Sequence, residues 1–162
     1  MWSLRILLLL IFFISPNLMA KNQLVYFEPK HVELIGVIKK LQFAGPPNYE
    51  SLKNGDKDET GPYLILNNPV DVQLAPKSRS DTDIPEKNVS LLQLVVDHKK
   101  DWEKIKEGNF VQINGTLFHA FTGHHHARVL LMIEKVTVIS KQRMTNKKID
   151  ITDEDKEFLK RE

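Results

Sequence analysis

The sequence predicts an all-β domain, and three observations lead to that class. Five apolar segments rich in valine, isoleucine and leucine are separated by clusters of Gly, Pro, Asn and Asp, which end strands and form turns. One short stretch between the third and fourth segments has helical spacing. The chain has 162 residues and no cysteine, which suits one domain and excludes a disulfide framework and a thiolate nucleophile.

The first twenty residues have the composition of a secretory signal. Arg5 precedes an uncharged apolar run at residues 6–14, and Ala20 supplies the small residue typical of a cleavage site. The run is shorter than the roughly 20 apolar residues that span a bilayer. We therefore expect cleavage after Ala20, a periplasmic or secreted protein, and no transmembrane segment in the mature chain.

Removal of residues 1–20 leaves a predicted domain over residues 21–140 and a charged tail over residues 141–162. The formal net charge falls from +2 to +1, because the signal contains Arg5 and no acidic residue. A surface with so little net charge is unlike the basic face of nucleic-acid-binding proteins. Nucleic acid is therefore not an expected partner.

The predicted strands alternate with turn residues along the mature chain. Gly36 in the first and Gly115 in the fourth are glycines of the sort that let a strand bend. The second strand is interrupted by Asn67-Asn68-Pro69, after which it could resume. The five strands are predicted at residues 32–38, 63–66, 89–96, 110–118 and 129–139.

Two short helices and one long loop complete the prediction. Asp97 can cap a helix from His98 to Glu107, and Thr152 and Asp155 have capping-box spacing before a terminal helix. We expect the tail to pack loosely. The loop at residues 45–62 carries acidic residues whose spacing is not that of a calcium loop, so they are interpreted as solvated. These residues are Glu50, Asp56, Asp58 and Glu59.

The order of three strands, a helix and two strands is that of the oligonucleotide/oligosaccharide-binding (OB) barrel. An open antiparallel sheet with one covering helix is the alternative. On the barrel, the loop at residues 45–62 and the turn between the last two strands flank the ligand face. The sequence therefore predicts that these two connections lie close together.

The turn between the last two strands holds four of the six histidines: His119, His124, His125 and His126. A three-residue turn ending at Gly123 sets His119 opposite His125, whereas a two-residue turn sets His119 opposite His126. The first register pairs Ile113 with Leu131 and is preferred, because the second places Glu134 against an apolar position. In either register, cross-strand Cβ atoms about 5 Å apart would let two imidazoles share an ion.

We interpret this cluster as a transition-metal site, zinc before copper or nickel. His119 and His125 would be ligands, aided by His124 or His126. Tyr49 or Glu50 of the facing loop would close the site. The predicted ligand-binding residues are Tyr49, Glu50, Phe118, Thr122 and Arg128.

Two other interpretations of the histidines stay open. The imidazoles could be structural, hydrogen-bonding loop carbonyls and hydroxyls while stacking on Phe118, Phe121 or Tyr49. They could also serve a metal-dependent hydrolase or nuclease. That reaction needs a carboxylate near the metal, and the nearest acid after the cluster is Glu134, well along the strand. A binding or accessory role is therefore favoured over catalysis.

Several segments share the pattern of a known family. The signature Gly-Thr-Leu-Phe-His-Ala-X-Thr-Gly-His-His-His occupies residues 115–126, and further matches fall at residues 26–29, 32–36, 45–51 and 85–89. Over residues 25–138 the chain resembles a bacterial family of small exported domains of unknown function. That pattern often has a histidine at the position of Phe121 and a threonine at that of Ala127. The resemblance implies a bacterial envelope protein and brings no known activity with it. The expected partner, which the sequence does not identify, is another envelope protein, a peptide or a glycan.

Overall fold

The fold is taken from a computed structural model, which describes residues 21–76, 78, 80–140 and 150–160. These residues form six strands and one α-helix, so the predicted all-β class is confirmed. The strands are β1 (Gln23–Tyr26), β2 (His31–Leu41), β3 (Gly61–Gln73), β4 (Glu86–Val95), β5 (Phe110–His119) and β6 (Val129–Ser140), and the helix is α1 (Asp153–Leu159). In this part of the chain no helix has the length and apolar character needed to cross a bilayer. The predicted signal lies outside the described residues.

The strands pair in the order β1-β3-β2-β5-β6-β4, and β4 also pairs with β3. The β1–β3 and β4–β6 pairs are parallel, and the other pairs are antiparallel. The five predicted strands correspond to β2 to β6. Strand β1 was not predicted, because a segment of four residues is too short to show a strand period.

Strand β3 runs through the sequence that was expected to interrupt it. It continues across Asn67, Asn68 and Pro69, and its register against β4 shifts between Ile65 and Val70. Proline has no N–H to donate, so it is tolerated where the hydrogen-bonded ladder is irregular. The turn residues therefore produce a local irregularity instead of ending the strand.

The prediction of a helix from His98 to Glu107 is wrong. A 3-10 turn at Lys99–Asp101 is followed by further turns, and the N-cap is His98 instead of Asp97. Ile105 is buried, whereas Trp102 is exposed. One buried apolar side chain gives too little packing to hold a helix of that length, because short helices depend on tertiary contacts for their stability.

The main core is formed by the inward side chains of the strands, including Ile38, Leu64 and Ile113, which have no exposed surface. The two glycines predicted to let strands bend lie where backbones approach closely. A Cβ at Gly36 would meet the carbonyl oxygen of Ile65, and one at Gly115 would meet that of Met132. Gly115 also lies at a register shift between β5 and β6.

Helix α1 packs against the outer side of β4, where Ile151 and Leu159 cover a second, smaller apolar cluster. Asp155 is buried, and its carboxylate accepts hydrogen bonds from the backbone N–H groups of Ser90 and Leu91. Thr152 is the N-cap as predicted, but its own N–H donates to Ser90 Oγ. The expectation of a loosely packed tail is wrong for this helix, because tertiary partners of a carboxylate are invisible in local sequence. Residues 141–149 lie outside the described part.

Candidate functional site

The connection between β5 and β6 is longer than either predicted turn. His119 pairs with Val129, and the Ala120 N–H closes residues 120–128 by donating to the Arg128 carbonyl. Ile113 pairs with Val136 instead of Leu131. Both predicted registers are therefore wrong, and His119 faces neither His125 nor His126 across the ladder. The apolar run of β6 fits several registers equally well, so the sequence pattern could not choose among them.

The connection between β2 and β3 lies against the histidine loop (residues 120–128), as predicted. The Tyr49 hydroxyl is 3.4 Å from His124 Nε2, and the two rings meet edge to face. Gly123 lies next to the Tyr49 ring, where an added Cβ would be 3.3 Å from Cζ. Glu50, the other residue expected to close the site, has an exposed side chain.

Asp56 organises the β2–β3 connection from within. Its carboxylate accepts hydrogen bonds from the backbone N–H groups of Asn48, Glu50 and Ser51 at 3.0, 2.9 and 2.8 Å. The Ser51 and Glu50 N–H groups hold the pKa of Asp56 below its ordinary value. Asp56 is buried, so its interpretation as a solvated acid is wrong.

Glu59 brings two of the predicted metal ligands together. Its Oε1 atom is 2.5 Å from His124 Nδ1, and its Oε2 atom is 2.8 Å from His126 Nε2. Burial opposes ionisation of Glu59, but hydrogen bonds with His126 and His124 hold its pKa below the ordinary value. Glu59 was interpreted as solvated and is instead the acid that meets the histidines. The sequence signal for this contact was the position of Glu59 at the end of the facing loop, just before β3.

Gln93 of β4 fixes the backbone of the histidine loop. Its Oε1 atom accepts the His126 N–H at 2.7 Å, and its Nε2 group donates to the His124 carbonyl at 2.9 Å. The His126 ring stacks on Phe43, with centroids 4.4 Å apart and planes 3° from parallel. His126 is thus buried against an aromatic wall, whereas the His124 side chain is 58% exposed.

His125 lies against two phenylalanines. Its ring contacts Phe121 at 4.7 Å and Phe118 at 5.8 Å between centroids. The Phe121 N–H donates to His125 Nδ1 at 3.1 Å. Burial, together with neighbouring His124 and His126, lowers the pKa of His125, which favours the neutral ring. These ring contacts are those that the structural interpretation of the cluster expected.

His119 belongs to a different set of contacts. Its Nε2 atom is 3.0 Å from Glu86 Oε1, and its Nδ1 atom is 2.8 Å from the Ala120 carbonyl oxygen. The hydrogen bond that His119 makes to the Glu86 carboxylate raises the pKa of His119, while burial opposes that shift. The pKa of Glu86 is lowered, because His119 and Arg128 outweigh the effect of its own burial. His119 is therefore held by Glu86, whereas His124 and His126 are held by Glu59.

Of the remaining predicted ligand-binding residues, Arg128 has a structural role. Its guanidinium is buried and donates to the carboxylates of Asp155 and Glu86 and to the carbonyls of Lys87 and Asn88. Thr122 is exposed, and its carbonyl accepts the His125 N–H. Phe118 is partly exposed and contacts Phe121.

The chemistry of the loop junction is set by two imidazoles and one carboxylate. In the part of the chain that the structure describes, no group of three or more His, Asp or Glu has the arrangement of a preformed metal site. Glu59 instead contacts both His124 and His126 directly. Two histidines and a carboxylate are nevertheless a ligand set that zinc uses.

The family described as Domain of unknown function (DUF4431) matches residues 91–137. The matched stretch begins within β4, ends within β6 and contains the whole histidine loop. The chain is similar to that family over this stretch. No curated protein and no solved structure matches the sequence.

Proposed function

We propose that the protein is a small exported binding module of the bacterial envelope, built on an OB-type barrel. Strand pairing supports this topology, because the order β3-β2-β5-β6-β4 returns to β3. In an OB barrel the connections between the first two and the last two strands flank the ligand. Here those connections are residues 42–60 and 120–128, which contain Tyr49 and His124.

Export is supported by the composition of residues 1–20. The intact mass of the protein recovered from the periplasm tests this part of the proposal, and the expected species begins at Lys21. A species that retains residues 1–20, or one that sediments with membranes, would contradict it.

The proposed ligand is a divalent transition metal, zinc before copper or nickel, held by His124, His126 and Glu59. One observation carries the proposal: two imidazole nitrogens of one loop approach the two oxygens of one carboxylate from the other loop. Zinc sites with two histidines and one glutamate keep a further position open for water or another ligand. This set replaces the pair of His119 and His125 predicted from the sequence.

Metal binding would require a small movement of Glu59. Zinc lies about 2.0–2.2 Å from each nitrogen or oxygen ligand, so an ion does not fit within the observed contacts and the carboxylate must withdraw by about 1 Å. The ion would take the place of the protons shared by Glu59 and the two rings. Two further contacts would orient the histidine ligands: the Tyr49 hydroxyl lies near His124 Nε2, and the Phe43 ring stacks on His126.

Binding is favoured over catalysis. The sequence argument for this choice, that no acid lies near the histidines, is wrong. Acids do lie beside histidines in space, because Glu59, Glu86 and Glu134 each contact one or more imidazoles. In the proposed site Glu59 is a metal ligand and cannot also act as the general base of a hydrolase. A binding module therefore needs only the groups assigned here, whereas a hydrolase needs a further group to act as the general base.

Calorimetric titration with zinc at neutral pH tests the site. We expect a dissociation constant near or below about 1 μM. Zinc binding should be lost in Glu59→Gln and in the double variant His124→Ala, His126→Ala. It should persist in His119→Gln, which changes the histidine bound to Glu86.

The matched control is His31→Ala, since His31 Nδ1 contacts Glu134 at 2.9 Å in an exposed pair outside the loop junction. A dissociation constant above about 1 mM for the unchanged protein would overturn the proposal. Equal affinity in the double variant would do the same. Glu59 would then serve only to clamp the two loops together.

A further inference from the structure

An open cleft of about 820 Å³ lies beside β5, and its lining includes none of the residues assigned to the metal. Its size falls within the roughly 300–1,000 Å³ typical of small-ligand sites. The part of the chain between β3 and β4 contributes much of its lining, together with the turn before β2. The polar groups of the lining are the carboxylates of Glu28 and Asp81, the hydroxyls of Ser78, Ser80, Thr82 and Thr116, and the imidazole of His31, which is paired with Glu134.

The walls of this cleft are held in place by hydrogen bonds. Ser78 Oγ accepts the Ser80 N–H at 3.2 Å, and Ser80 Oγ accepts the Asp83 N–H at 3.1 Å. Asp83 Oδ1 in turn accepts the His119 N–H at 3.0 Å, which joins this segment to the end of β5. The hydroxyl groups of Ser78 and Ser80 are therefore positioned by hydrogen bonds within the protein.

The donors and acceptors of the cleft restrict its ligand. A hydroxyl both donates and accepts hydrogen bonds, whereas an ionised carboxylate only accepts them. Glu28 and Asp81 therefore repel an anion and favour a ligand rich in hydrogen-bond donors. A neutral polyhydroxyl compound meets both demands, because each of its hydroxyls can donate to a carboxylate or exchange bonds with Thr116 and its neighbours.

An aromatic surface continues from the cleft along β5. Phe118 lies on the same outward side of the strand as Thr116, about 6.6 Å further along, because alternate residues share a side. Its ring contacts those of Phe121 and His125, and Phe121 is 61% exposed. A sugar ring has an apolar C–H face and a hydroxyl edge, which are the two kinds of surface that lie side by side here.

We propose that the cleft and the adjoining surface of Phe118 and Phe121 bind a neutral saccharide. The hydroxyl edge of one sugar unit enters the cleft near Asp81 and Thr116, and the C–H face of a neighbouring unit packs on the phenylalanines. The site uses none of the proposed metal ligands, so saccharide binding can be tested separately from zinc binding.

Amide chemical shifts of the ¹⁵N-labelled protein, titrated with chitotriose, maltotriose or trilysine, test this inference. At least one saccharide should shift the amide signals of Thr82, Thr116 and Phe121 and leave that of Tyr49 in place. Asp81→Asn and Phe121→Ala should each weaken binding about tenfold, corresponding to the loss of one charge-assisted hydrogen bond or one stacked ring. Glu59→Gln, which disrupts the proposed metal site, should bind the saccharide with unchanged affinity.

Three results would overturn the inference. They are the absence of shifts with either saccharide up to about 10 mM, preferential binding of trilysine in the cleft, and saccharide affinity unchanged in both variants. Each variant's own amide spectrum reports whether it is folded. Thr116→Val provides a second test within the cleft if Asp81→Asn proves unfolded.

Discussion

His119 Nε2 lies 3.0 Å from Glu86 Oε1, in a contact that separates this histidine from its neighbours in sequence. The other oxygen of Glu86 accepts a hydrogen bond from Arg128, which also donates to Asp155. His119 thus ends a chain of charged groups that reaches helix α1. The residue at the centre of the predicted metal site is one whose ring nitrogens already have protein partners.

The His119–Glu86 pair should make stability depend on pH in a defined direction. The pKa of His119 is raised above its ordinary 6.5, so its contribution is complete below that pH and is lost as pH rises through the folded-state pKa. The pKa of Glu86 is lowered from 4.5, so its contribution is present above that pH and is lost as pH falls through the folded-state pKa. The pair therefore stabilises most between pH 4.5 and 6.5.

Urea unfolding at about pH 5.5 and about pH 8 measures this effect. We expect the unchanged protein to lose more free energy of unfolding over that interval than His119→Gln does. His31→Gln is the control, because it removes an exposed histidine that also contacts a glutamate. The same loss in the unchanged protein and in His119→Gln would contradict the assignment.

Asp155→Ala should destabilise the protein by about 3 kcal/mol, because it removes one of the two carboxylates bound by buried Arg128 and leaves two backbone N–H groups without an acceptor. Asp153→Ala is the control on the same helix, since the Asp153 side chain is 93% exposed. That substitution should change stability by less than about 0.5 kcal/mol. Equal midpoints of urea unfolding for the two variants would show that the carboxylate does not anchor α1.

Gly115→Ala should cost about 2–3 kcal/mol, because its Cβ would press on the carbonyl oxygen of Met132 and force the strands apart. Gly61→Ala is the matched substitution at a permissive position, where the nearest atom to the new Cβ is Tyr63 Cε2 at 3.7 Å. Its effect should stay within about 0.5 kcal/mol. Thermal unfolding followed by circular dichroism measures both, and a fully stable Gly115→Ala protein would refute the close approach.

Zinc should raise the thermal stability of the protein if the loop junction binds it. A zinc concentration 100-fold above the dissociation constant adds about 2.7 kcal/mol, provided that the ion binds only the folded state. A chelator should reverse the effect, and Glu59→Gln should show none of it. A similar increase in melting temperature for Glu59→Gln would place the ion elsewhere.

Strands and their bending glycines were predictable because their signals are local. The apolar character of β2 to β6 and the positions of Gly36 and Gly115 can be read within a few residues. The meeting of the loops that carry Tyr49 and His124 was also predicted, because strand order alone brings their connections together.

The register of the last hairpin and the acid beside the histidines were not predictable in the same way. A register shift at Gly115 and the length of the histidine loop depend on contacts across strands, so no local pattern specifies them. Glu59 lies far from His124 in sequence, and its neighbours gave it the composition of a solvated loop. Asp56 is buried while its neighbours are exposed, because backbone N–H groups from the preceding residues donate to its carboxylate.

The carboxylate of Asp56 also determines how the β2–β3 connection would respond to a ligand. Three N–H groups converge on it, and the same segment carries Tyr49 to the histidine loop. The conformational entropy of that segment is therefore lost during folding and need not be lost again when a ligand binds. Association at the loop junction should resemble the docking of a rigid surface, with a rate set by diffusion and orientation instead of by loop closure.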